Sequence, residues 1–237
     1  MSRKPPGPIA RDGQTFSPKR AAKLAQKKHR ETERLFLAEG GALISESPNP
    51  PRHIFNEPDD IRKISTLTTP AGPVGVFPFL DVETRVLLHG RDRIVALHGV
   101  QDPGNVGTII RAAHAFGAGV ALSRRCADLY NPKTIRATMG SIFHAPIARQ
   151  VDTVAFLEEA KAGGFTSVAA VPERGGRPES LSGGKLVLVV GAEGAGLPEG
   201  IVAACDATVT IASHAASLNA AMAASILLYE AYERVLP

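Results

Sequence analysis

From Arg93 onward the chain alternates short apolar runs with helical stretches. R-I-V-A-L-H-G (93–99), G-V-A-L-S (119–123), T-S-V-A-A-V (166–171), K-L-V-L-V-V-G (185–191) and T-V-T-I (208–211) are rich in β-branched residues and of strand length. Helical patterns occupy about 106–117, 132–142, 153–163, 198–204 and 217–235. Continuous apolar strands separated by helices predict a parallel sheet with helices on both faces, an α/β domain over 93–237. Ligands of such sheets bind beyond the carboxyl ends of the strands, where the unusual loops of this chain lie. The last stretch, Ile211 to Tyr232, is apolar on nearly every face from Leu218 to Tyr229, which predicts a helix buried on several sides. Ser217 and Asn219 stand at its start, where a side-chain oxygen caps orphan N–H groups.

The first 92 residues are patterned less clearly. Residues 1–16, rich in Pro, Gly and charge, read as a disordered basic tail. Good helix formers from Lys19 to about Glu39 predict one helix, interrupted by Gly40-Gly41. Seven prolines between 45 and 80 leave room for a short helix near Asp59–Ile64 and a strand near Val74–Phe79. The expectation is a small α+β module over 17–80 and a linker over 81–92.

Charge adds a direction to this layout. The formal charge is +4, but residues 1–34 hold ten Lys/Arg against three acids, and the rest of the chain holds 17 against 20. Positive charge is therefore an N-terminal property that suits a polyanion, with Lys27, Lys28 and Arg30 as candidate contacts. No Trp and 5% aromatic residues argue against base stacking as the main device. Cys126 and Cys205 stand alone, without metal-ligand spacing, so neither a disulfide framework nor a metal is expected. Without a membrane-length apolar run or a signal-peptide core, the reading is a cytoplasmic protein.

Three loops carry the candidate chemistry. In D-P-G-N-V-G-T-I-I-R (102–111), Asn105 can cap a helix starting at Val106, and Arg111, among apolar neighbours, must reach an anion or a site mouth. In V-V-G-A-E-G-A-G-L-P-E (189–199), three glycines permit close backbone approach, while Glu193 is unsuited to a phosphate cradle and favours a cationic or hydroxyl-bearing ligand. The third loop is the turn at 211–219. A dinucleotide oxidoreductase would need a glycine fingerprint after the first strand, and H-G-V-Q-D-P-G-N does not supply one.

In this order, N-x-G-x-I-x-R (Asn105 to Arg111), G-x-E-G-x-G-L (Gly191 to Leu197) and the Ile211…Ser217-Leu218-Asn219 turn resemble the three signature motifs of the SpoU (TrmH-like) RNA ribose 2′-O-methyltransferases. Residues 130–143 are also similar to that family, and the resemblance spans about Arg93 to Leu236. More weakly, 35–40 and 68–77 resemble landmarks of the small substrate-binding domain many members carry, with a shorter stretch between them. The resemblance implies a C-terminal deep trefoil knot, a homodimer, S-adenosylmethionine as cofactor and RNA as partner, ribosomal rather than transfer RNA on weak grounds. It implies cofactor contacts at Gly191, Ile211, Leu218 and the strand end at Val171. Arg111 would serve the 2′-hydroxyl as a positioned cation, because a guanidinium resists deprotonation. Asn105 and Ser217 would orient it and the ribose, Asn219 would fix the loop, and Glu193 would hold the network. Lys133 and Arg136 would meet phosphate. Two departures stand out: Ala212-Ser213-His214 replaces the family's usual Pro-Met after the isoleucine in a turn about two residues shorter, and Ala192 replaces a common Asn. A non-catalytic RNA-binding homologue is the alternative implied by the altered turn.

Overall fold

The computed structural model describes residues 16–181, 184–215 and 217–233. The expected tail at 1–15 lies outside them, as does the end of the last helix beyond 233. Phe16, assigned to the tail, is instead 5% exposed and packs in the core of the N-terminal module.

That module comprises α1 (Pro18–Lys23), α2 (Lys27–Glu33), β1 (Leu35–Glu39), α3 (Gly41–Ser45), β2 (His53–Phe55), α4 (Pro58–Ile64) and β3 (Val74–Pro78). Its antiparallel sheet has the order β1-β3-β2. The single helix expected over 19–39 is thus two short helices and a strand. Arg34, in the left-handed conformation at φ 54°, ends α2. In L-F-L-A, Leu35 and Leu37 face the module's own core, while Phe36 and Ala38 face the core shared with the larger sheet. A strand buried on both faces reads as continuous apolar sequence, which periodicity cannot separate from a buried helix.

The presumed linker is also structured. It carries α5 (Thr84–Gly90), whose Leu87 and Leu88 are buried against the large sheet. There follow β4 (Arg93–His98), α6 (Pro103–Ala115), β5 (Gly119–Ser123), α7 (Pro132–Ala137), β6 (Ile147–Val151), α8 (Thr153–Ala162), β7 (Phe165–Ala170), β8 (Lys185–Gly191), α9 (Glu199–Ala203), β9 (Ala207–Val209) and α10 (Ala220–Glu233). The six strands form one sheet, β6-β5-β4-β8-β7-β9, parallel throughout. Alternation within β4 sorts the layers: Val95 and Leu97 pack with α6, α7 and α10, whereas Ile94 and Ala96 pack with α5, α8 and α9. The expected α/β domain is therefore present, with one strand, β6, added at an edge. Its I-A-R-Q-V sequence hides the strand because Arg149 is held by Glu31 of α2 at 2.6 and 3.0 Å rather than facing water.

The last helix, expected to be buried on several sides, leaves one stripe exposed in the single chain. Ala220, Ala224, Leu227 and Leu228 are buried, but Met222, Ile226 and Tyr229 are 57%, 37% and 44% exposed. These three fall at i, i+4 and i+7 and form one stripe.

Candidate active site

The central strands β4 and β8 end side by side, with His98 opposite Gly191. After β8 the chain turns tightly: the Gly196 N–H donates to the Ala192 carbonyl at 2.9 Å, and Gly194 and Gly196 have φ of 73° and 63°. Gly191 is required by packing, since a Cβ there would lie 2.4 Å from the Gly196 carbonyl carbon. This turn presents Glu193 at the surface.

α6 begins earlier than its sequence suggested. Asp102, not Asn105, is the cap, accepting from the Asn105 N–H at 2.9 Å, and Pro103 occupies the first turn, where a missing N–H costs nothing. That bond, more than the nearby Lys133 ammonium, holds the Asp102 carboxyl below its ordinary range. The shift frees the Asn105 side chain from capping. Its Nδ2 donates to Glu193 Oε1. Asn219 Nδ2 donates to the same oxygen at 2.7 Å and to Asn105 Oδ1 at 3.1 Å. Asn219 Oδ1 meanwhile caps α10, accepting from the N–H groups of Ala221 and Met222 at 2.9 and 3.2 Å. Three residues separated by up to 114 positions thus form one closed cluster.

Beside it lies a pocket between the ends of β7, β8 and β9 and the start of α10. All four candidate cofactor residues, Val171, Gly191, Ile211 and Leu218, line it, together with Ser217 and Glu193. Its walls are mainly aliphatic, and Glu193 is the one charged side chain among the described residues lining it. The 171–176 segment is fastened to β9 through Thr210, whose hydroxyl donates to the Val171 carbonyl at 3.0 Å and accepts from the Gly175 N–H at 2.8 Å.

Not every candidate joins this group. Arg111 is exposed on α6, and among the described residues no hydrogen bond or ion pair holds its guanidinium. Ser217 is exposed at the pocket edge, and among the described residues the side-chain cap of α10 comes from Asn219. Lys133 lies 3.4 Å from Asp102, and Arg136 donates to Thr66 Oγ1 of the N-terminal module at 3.1 Å. Lys27 and Lys28 are exposed at the start of α2. Arg30 is not available to a phosphate: it is 3% exposed, donates to the carbonyls of Leu24 and Ala25, and pairs with Asp128. Its helical spacing beside two solvated lysines concealed that it points inward. Asp102 was missed because Asn105 is an equally good cap by residue type, and only the following proline distinguishes the two.

Comparison with known proteins identifies the family. The SpoU rRNA Methylase family profile matches residues 92–229. A 23S rRNA (guanosine(2553)-2′-O)-methyltransferase, RlmP, from Bacillus subtilis is 32% identical over 87% of this chain and 92% of its own. An AdoMet-bound rRNA methyltransferase from Sinorhizobium meliloti superposes with a TM-score of 0.82 at 31% identity, covering 93% of this chain and 95% of that one. AviRb from Streptomyces viridochromogenes, solved in complex with the cofactor AdoMet, gives 0.80 at 26% identity over 93% of this chain and 98% of its own. With the profile spanning more than half of the sequence and a full-length relative aligned to most of it, the chain belongs to the SpoU rRNA methylase family.

Proposed function

We propose that this protein transfers a methyl group from S-adenosylmethionine to a ribose 2′-hydroxyl of ribosomal RNA. The observation that carries the reading is the Asn105–Glu193–Asn219 cluster beside an aliphatic pocket lined by Val171, Gly191, Ile211 and Leu218. The pocket fits the cofactor. Aliphatic walls suit an adenine ring, main-chain groups of the turn suit its polar edges, and the lone carboxylate suits a cationic ligand. When bound, S-adenosylmethionine supplies a methyl group on a positively charged sulfur.

The protein's own residues supply orientation and charge. Glu193, held by two side-chain amides, keeps a fixed acceptor at the pocket mouth. Arg111 grips the phosphate beside the target ribose and stabilises the oxygen that develops negative charge as the hydroxyl loses its proton. Ser217 orients the ribose from the pocket edge. Lys27, Lys28, Lys133 and Arg136 extend a basic path for the RNA backbone, and the module over 17–80 helps to dock the substrate. The non-catalytic alternative is not favoured, because Asn105, Glu193 and Asn219 come together beside the pocket despite the short 211–217 turn.

The working unit is a homodimer without a metal, in the cytoplasm, where ribosomal RNA is found. Supporting the dimer is the exposed Met222, Ile226 and Tyr229 stripe on α10. Packing of α10 against α6, β8 and the turn at Pro178–Ser180 supports a knotted threading of the C-terminal segment. No helix of the described residues is long and apolar enough to cross a membrane.

Calorimetric titration with S-adenosylmethionine and S-adenosylhomocysteine tests the reading first. Micromolar binding, abolished by Leu218→Arg, is expected, together with one ribose methylation missing from ribosomal RNA of cells lacking the gene. A folded protein that binds neither compound, with or without RNA, would overturn it.

A further inference from the structure

A second cavity, of about 410 Å³, flanks the same turn on the other side of β8. It is bounded by the β4–α6 turn, by Arg125 after β5, and by Ala192, Glu193 and Gly196, which also line the cofactor pocket. The two cavities therefore share one wall, and Glu193 stands in it. Their chemistry differs. The first is mainly aliphatic, whereas His98, Gln101, Asp102, Arg125 and Glu193 give the second a polar lining.

Two of these side chains are unspent. Arg125 is exposed, and among the described residues no acid or carbonyl engages it. His98 accepts or donates one hydrogen bond, from Nδ1 to Thr153 Oγ1 at 2.9 Å, which fixes the ring and leaves Nε2 available. Burial, and then the Arg125 charge, lower the His98 pKa against the opposing pull of Asp152, which favours the neutral ring, able to donate or accept one hydrogen bond. The cavity lies in the range of about 300–1,000 Å³ usual for small-ligand sites.

In-line methyl transfer needs the attacking oxygen and the leaving sulfur on opposite sides of the methyl carbon, the O–C bond forming as the C–S bond breaks. Resting on the function proposed above, we propose that the second cavity receives the acceptor nucleotide, with Arg125 on its flanking phosphate and His98 Nε2 on its base. The ribose then bridges the two cavities at Glu193.

The two contacts have different salt signatures. A phosphate contact releases counterions, so its loss lowers the slope of log K against log salt by about one, whereas loss of a neutral contact to a base weakens binding at every salt concentration alike. The test uses the full chain and an unmodified 23S rRNA transcript, measuring RNA affinity across a KCl series, KM and kcat for methylation, and S-adenosylmethionine affinity. Arg125→Ala is expected to weaken RNA binding about tenfold and to reduce the slope by about one, with Arg125→Lys restoring the slope. His98→Gln is expected to raise the RNA KM at an unchanged slope. Cofactor affinity stays within twofold in all three variants. Unchanged RNA affinity and slope in Arg125→Ala, or equal losses of RNA and cofactor affinity, would overturn the assignment. Failure of the wild-type chain to bind the cofactor would instead remove the functional reading on which it rests.

Discussion

Glu193 accepts from two amides and from no cation among the described residues, so its negative charge is positioned but not neutralised. Asn219 does two jobs at once, donating to Glu193 while its oxygen caps α10. The two can be separated by substitution. Asn219→Ala should lower stability by about 1 kcal/mol through the lost cap as well as lowering turnover, while Asn105→Ala, which caps nothing, should lower turnover alone. Because the three residues form one network, the double variant should lose less than the sum, with a coupling of roughly 0.5–3 kcal/mol in the activation free energy. Additive losses would show that the cluster is structural scaffolding rather than a unit. Arg111 tests the charge. Arg111→Ala should reduce kcat about 10²–10³-fold, the range for a lost oxyanion donor, with cofactor affinity unchanged. Arg111→Lys should recover little of it, since an ammonium lacks the planar fork; near-normal turnover and RNA affinity in that variant would exclude a bidentate grip.

At the level of elements, the site depends on edge strand β9, which delivers the chain to the 211–219 turn. Asp206 anchors it. One carboxylate oxygen accepts from the Ser167 N–H and hydroxyl at 2.9 and 2.8 Å, and the other pairs with Lys161 at 2.9 Å. These bonds, the Ser167 N–H first, hold the Asp206 pKa down at about 2, against an ordinary value of 3.8. A carboxylate depressed in the folded state stabilises it fully above the unfolded value and loses that contribution as pH falls through the folded one. The stability gap between the wild type and Asp206→Asn should therefore be constant from neutral pH down to about 4 and close between 4 and 2, as followed by circular dichroism in urea. A gap independent of pH would mean that the carboxylate charge is not what anchors β9. The strands that sequence revealed and concealed differ in one respect. β4, β5, β7 and β8 are short apolar runs, rich in β-branched residues and set between helical stretches, a pattern legible without knowing any partner residue. β1 and β6 were lost because their identity rests on distant segments: Phe36 stacks on Phe77 and Tyr130, and Arg149 reaches back to Glu31. The site divides the same way. Motif glycines and the Asn105, Glu193 and Asn219 residues could be read directly, but nothing local distinguishes inward-facing Arg30 from Lys27, or marks His98 and Arg125 as neighbours.

On the scale of the whole molecule, the question is how a basic N-terminal module is held at a fixed orientation to the catalytic sheet. The junction is aromatic and charged. Tyr130, fully buried, stacks on Phe79 with centroids 3.8 Å apart and on Phe36 at 4.9 Å. Arg149 lies over Phe79 while pairing with Glu31 and Asp81, and Arg30 reaches across to Asp128. The Tyr130 hydroxyl completes the joint, accepting from the N–H groups of Leu80 and Asp81 at 2.6 and 2.8 Å and donating to Asp81 Oδ1 at 2.8 Å. Burial, with Asp81 adding to it, pushes this phenol well above its ordinary range, so it remains a donor at any working pH. Tyr130→Phe keeps the stacking and removes only the hydroxyl, orphaning two partly buried donors and one acceptor. It should cost about 1–3 kcal/mol per group left unsatisfied, read by circular dichroism because the chain has no Trp to report unfolding. Cofactor affinity should not change, since the pocket lies at the far end of the sheet around β7 and β9. RNA affinity should fall, because the module that carries Lys27 and Lys28 loses its fixed angle to the catalytic site. A variant as stable as the wild type would show that water replaces the hydroxyl, and one that loses stability but keeps full RNA affinity would separate the joint from substrate docking.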